Sequence, residues 1–136
     1  MCRFKVLFIF LFGILALSST STAEYIAKSI SEYKVYTGRL VFASKPKVGK
    51  NSALLYIFYT KSNNPINKKL NLEVVPWMTE HEHGSTEIPK VSLGMKAGEY
   101  KITSLTFTMP GKWQIYVKVK DNNFEDTLVF DVNVAK

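Results

Sequence analysis

Ten consecutive residues, "PWMTEHEHGS" from Pro76 to Ser85, hold both histidines of the chain together with Met78, Glu80 and Glu82. Imidazole nitrogen suits copper, zinc, iron and nickel, whereas a thioether sulfur selects copper(I). His81 and His83 are separated by one residue, so in an extended chain both rings project to one side, about 7 Å apart at the backbone. Glu80 and Glu82 then alternate to the other side, where they add negative potential or orient an imidazole without touching a metal. The bland alternative is a solvated loop whose histidines bind nothing. Which of the two holds depends on what faces the loop.

The dominant period after the first two dozen residues is two. In "WQIYVKVK", Trp113, Ile115, Val117 and Val119 share a side, and "TLVFDVNV" repeats the pattern with Leu128, Phe130, Val132 and Val134. Successive strand side chains point to opposite faces, so these are half-buried strands. "ALLYIFYT", residues 53–60, is apolar almost throughout and suits a central strand covered on most of its surface. Turn signals at "KPKVGKN", "KSNNPINKK", "GMKAGE", "MPGK" and "DNN" cut the chain into about seven strands, near 36–43, 52–60, 69–76, 89–93, 99–109, 112–120 and 124–135. The predicted fold is all-β, an immunoglobulin-like antiparallel β-sandwich, with a small barrel as the alternative.

One strand breaks phase. In "YKITSLTFTM", Tyr100 and Ile102 are followed by Leu105, Phe107 and Met109, a slip of one residue at Thr103–Ser104 that predicts a β-bulge. Beyond the slip Met109 shares a side with Leu105 and Phe107 and reads first as core filling. Antiparallel strands reverse direction each time, so the third-to-fourth and fifth-to-sixth connections fall at one end. The first of these is the histidine loop and the second is "MPGKW". Met78, His81, His83 and Met109 are therefore the candidate ligand set, two soft sulfurs and two imidazoles with no charged donor. That set matches copper(I) better than zinc, which favours thiolate, imidazole and carboxylate. Met95, in the turn before the fifth strand, falls at the other end.

The beginning of the chain reads as an export signal. Arg3 and Lys5 precede an apolar run from Val6 to Leu17, and small residues at Ser21 and Ala23 fit cleavage after Ala23. The run is shorter than the roughly twenty residues that span a bilayer as a helix. The expectation is a signal peptide over 1–23, a single domain over 24–136, a periplasmic or secreted location, and no stable membrane span. The lone cysteine, Cys2, leaves with the signal, so thiolate metal sites, cysteine nucleophiles and disulfides are excluded from the domain. Of the net charge of +7, Arg3 and Lys5 also leave. The remaining lysines are spread over outward strand positions such as Lys118 and Lys120, a pattern that argues against nucleic acid as a partner.

The paired motifs resemble those of the YtkA-like and FixH-like exported domains. The resemblance rests on Pro76, Met78, His83 and Gly84, then Gly98 and Tyr100, then Phe107, Met109, Gly111 and Trp113, and covers roughly residues 70–120. It implies an immunoglobulin-like sandwich outside the cytoplasm with a role in copper handling. The chain departs from the pattern at Trp77 and Thr79, where relatives often carry further Met, Pro or Gly, leaving Met78 as the only thioether of the loop. The expected function is an exported copper-binding protein, a copper(I) chaperone or scavenger exchanging the ion with an envelope partner. The alternative is a metal-free interaction module using Tyr25, Tyr33, Tyr36 and Trp77 as exposed contacts. No Ser/His/Asp order or paired-carboxylate pattern marks an enzyme.

Overall fold

A computed structural model describes residues 17–19 and 22–136. Cys2, the basic start and nearly all of the apolar run lie outside the described residues. Among those described there are nine strands: β1 (Tyr25–Ile30), β2 (Tyr36–Phe42), β3 (Gly49–Tyr59), β4 (Asn71–Met78), β5 (His83–Gly84), β6 (Lys90–Leu93), β7 (Glu99–Phe107), β8 (Gly111–Asp121) and β9 (Phe124–Val134). They form two antiparallel sheets, ordered β1-β2-β3-β7-β6 and β5-β4-β8-β9. Without β1 and β5 the orders become β2-β3-β7-β6 and β4-β8-β9, the ABED and CFG sheets of an immunoglobulin constant-type sandwich. The seven strands expected from periodicity are all present, and the two additional ones are edge strands.

Both additions lack the apolar alternation by which strands are read. Only Ala27 of β1 is buried, and β1 is held by its ladder to β2 and by polar links to the other sheet. The Val129 N–H donates to Ser29 Oγ at 3.0 Å, and the Asn133 N–H donates to the Tyr25 hydroxyl at 3.0 Å. These bonds use edge donors of β9 that would otherwise invite a foreign strand. A parallel bridge between Lys47 and Ala135 ties β9 to the β2–β3 loop as well.

Between the sheets, Leu40, Phe42, Leu55, Ile57, Ile102, Leu105 and Phe107 face Val74, Trp113, Ile115, Val117, Leu128 and Phe130, all buried. β3 is central, as its composition predicts, but only one of its faces is covered: Leu54, Tyr56 and Phe58 on the outer face are half-buried. Tyr36, expected as an exposed contact, is instead 1% exposed, because it stands on the inward phase of β2. The phase slip in β7 is a bulge. Asn51 pairs with Leu105 but Ala53 pairs with Ile102, so Ser52 faces both Thr103 and Ser104, and Ser104 takes a positive φ of 57°. The extra residue lets Ile102 and Leu105 both enter the core and aims Phe107, and the turn after it, at the end where β4 finishes.

Gly38 marks a close approach of the two sheets. A Cβ there would lie 2.7 Å from Phe130 Cζ and 3.0 Å from Leu128 Cδ1. Gly38→Val is expected to destabilise the fold by about 2 kcal/mol through overpacking, read as a lowered urea midpoint. An unchanged midpoint would mean that the sheets leave room for a side chain between Gly38 and Phe130.

Candidate metal centre

β4 ends at Met78, and the chain reverses within four residues. Thr79–His81 form one turn of 3-10 helix, Glu82 takes the left-handed conformation (φ 51°, ψ 42°), and its N–H donates to Thr79 O at 3.3 Å. His83 and Gly84 then pair back onto β4, Met78 opposite His83 and Trp77 opposite Gly84. Residues directly opposite in an antiparallel pair share a face, so the buried side of Met78 brings His83 inward with it. The Thr79 hydroxyl donates to Gln114 Oε1 at 3.0 Å and fastens the turn to β8.

The extended conformation expected for 81–83 is therefore not adopted. The reversal is too tight for it, and Glu82 supplies the left-handed step that closes the turn. The two imidazoles still meet, with ring centres 5.9 Å apart and planes 29° from parallel. That separation is within the about 6.4 Å between ring centres that one ion can bridge at ordinary metal–nitrogen lengths. Glu80 and Glu82 are exposed, and Glu80 lines a shallow groove with Lys112, Gln114 and Asp131 on the outer face of the second sheet.

Met109 arrives from the other sheet. It follows β7 in the turn to β8, and its Sδ lies 3.3 Å from His83 Nε2. Met78 reaches the same turn from below: a Cβ added to Gly111 would stand 2.9 Å from Met78 Cε. His83 is thus the hub. It opposes Met78, touches Met109 and has His81 beside it. Met95, 99% exposed in the β6–β7 turn, lies beyond the other end of β7.

His83 is caught between two acceptors. Its Nδ1 is 3.2 Å from Gly84 O and its Nε2 is 3.3 Å from the thioether. A neutral imidazole carries one N–H and can satisfy only one of them. With that proton on Nδ1 and given to Gly84 O, Nε2 presents a lone pair toward a sulfur that also carries lone pairs. A cation between the two would satisfy both, and the Gly84 carbonyl would hold the ring in the ligating tautomer. Among the described residues no group of three or more His, Cys, Asp and Glu side chains gathers in a metal-holding arrangement.

Trp113 is the participant whose polar role composition did not reveal. It is buried in the core as expected, but its indole Nε1–H donates to Met109 O at 3.0 Å, and its ring meets His83 edge-on at 5.6 Å and Phe107 at 5.3 Å. The one sequence clue was its position four residues after Met109 in a tight turn. The turn also depends on Gly111, whose φ of 127° is open to glycine and strained for other residues.

The chain belongs to the YtkA-like family, which it matches over residues 30–118, from the end of β1 to within β8. The matched span includes both the Met78–Gly84 reversal and the Met109–Trp113 turn. Neither a curated protein nor a solved structure gives a significant match.

Gly111→Ala is expected to lower stability by about 1 to 2 kcal/mol, from the disfavoured φ together with the contact on Met78. Thermal unfolding measures the loss, and NMR shifts of the Met78 and Met109 methyls should move with it. Unmoved methyls would separate Gly111 from the cluster.

Proposed function

We propose that this protein binds one copper(I) ion with His83 and Met109 as the central pair, His81 and Met78 completing the set, and that it works outside the cytoplasm as a chaperone or scavenger. The observation that carries the reading is the pair of contacts made by His83. At usual bond lengths a nitrogen and a sulfur on one ion at a tetrahedral angle stand about 3.5 Å apart, close to the 3.3 Å found between His83 Nε2 and Met109 Sδ. Two neutral thioethers and two imidazoles favour a soft monovalent ion over zinc. The graded exposure of the donors suits transfer to an envelope partner rather than permanent storage: His81 is exposed, His83 and Met109 are half-buried, and Met78 is buried. Arrival by an export signal cleaved after Ala23 fits the same role, and no catalytic step is assigned to these residues. Among the described residues no helix is long and apolar enough to cross a membrane.

Titration with copper(I) under a competing chelator is expected to saturate at about one ion per chain. His83→Ala and Met109→Leu should each weaken binding by at least about a hundredfold, the top of the 10–100-fold range typical of residues behind the ligands. The His81→Ala/His83→Ala double variant should retain little affinity. Wild-type uptake no greater than that of the histidine-free protein rejects the reading.

A second reading, a metal-free module docking another envelope protein, is favoured by the far end of the sandwich. There Ile30, Tyr33, Val35 and Phe124 are exposed, and the rings of Tyr33 and Phe124 lie 6.0 Å apart. An exposed apolar cluster of this kind marks a contact surface. Co-purification of a partner that survives chelator and loss of both histidines, yet fails with Tyr33→Ser and Phe124→Ser, would favour docking over metal transfer.

A further inference from the structure

We propose that Trp113 is a positioning residue that sets the separation of His83 and Met109 before any ion arrives, an inference that rests on the copper reading above. Its side chain touches both members of the central pair by different means. Through Nε1–H it bonds the carbonyl of Met109 at 3.0 Å, and its ring stands nearly perpendicular to the imidazole of His83, at 72° with centres 5.6 Å apart. The indole itself cannot drift. It is fully buried in β8, packed at 5.3 Å against Phe107, the last residue of β7, and paired across the backbone with Val132 of β9.

Core filling alone would need the bulk of the indole and not its proton. A buried N–H must find an acceptor, and the acceptor here is the carbonyl of the proposed ligand four residues earlier. That bond staples the turn Thr108–Pro110 across its mouth, while Gly111 with its positive φ allows the backbone to close beneath. The backbone at Met109 is thereby fixed in the turn ahead of β8, and its thioether reaches His83 without waiting for metal. A site held in its bound geometry loses less freedom on binding, and the gain shows chiefly as slower release.

The proton can be removed while the shape is kept. With Trp113 replaced site-specifically by 3-benzothienylalanine, an isostere without N–H, copper(I) affinity should fall about tenfold, in the range for residues that orient ligands. Release to a chelator should accelerate, and the nuclear Overhauser contact between the Met109 methyl and the His83 ring should fade in the metal-free protein. Replacement by 7-azatryptophan, which keeps the N–H, should restore all three. Trp113→Phe, compared by unfolding midpoint with the benzothienylalanine protein that already lacks the N–H, measures what the bulk alone contributes.

Equal affinity and an equal Overhauser contact in the benzothienyl protein would overturn the proposal, as would a loss of stability with the contact unchanged. If the wild-type protein takes up no copper, the copper reading falls. The Overhauser contact in the metal-free protein still decides whether Trp113 places Met109 against His83.

Discussion

The proposed copper site depends on the cross-strand pairing of Met78 with His83. The pairing exists because the chain reverses within Thr79–Glu82 and a left-handed residue closes the reversal. It places a histidine beside the apolar inner residues Pro76, Met78 and Trp113 of the second sheet. An imidazole there cannot meet both its acceptors as a neutral ring. His83 Nε2 and Met109 Sδ thus face each other as two lone-pair donors that one soft cation could share.

The sheets supply the second half of the pairing from a distance. Met109 belongs to the turn leaving the first sheet, and His83 to the edge of the second. Their contact needs β7 to finish at the right height and in the right phase. The bulge at Thr103–Ser104 does this by spending one residue, so that Phe107 packs inward and the turn passes over the end of β4. Trp113 then ties that turn to the histidine. The bulge, the glycine turn, the indole and the histidine hairpin form one continuous set of contacts across the mouth of the sandwich. The opposite end carries the exposed aromatic pair Tyr33 and Phe124, so a contact made there would leave the Met/His end free.

Much of this was legible in the sequence because the strands that build the core alternate. The period-two rows of β8 and β9 gave their inward residues correctly, and the slip in β7 gave the bulge. Strand order then brought the two loops to one end. What stayed hidden was held by backbone and polar contacts rather than by burial. β1 has one buried side chain and is secured by Ser29 and Tyr25 hydroxyls, so periodicity had nothing to register. β5 is two residues long, and its sign was a reversal that the alternation of His81 and His83 disguised as extended chain. Tyr36 was misjudged because an aromatic beside turn residues resembles surface, whereas its phase on β2 turns it inward. For Trp113 the apolar pattern predicted burial but carried no information about where its N–H would point.

X-ray absorption at the copper edge of the copper(I)-loaded protein tests the central claim most directly, since it reports which atoms surround the ion. The account predicts a first shell containing both nitrogen near 2.0 Å and sulfur near 2.3 Å, about the usual metal–ligand lengths, with sulfur scattering reduced in Met109→Leu. A shell of nitrogen and oxygen alone, or one unaltered by that substitution, would contradict it.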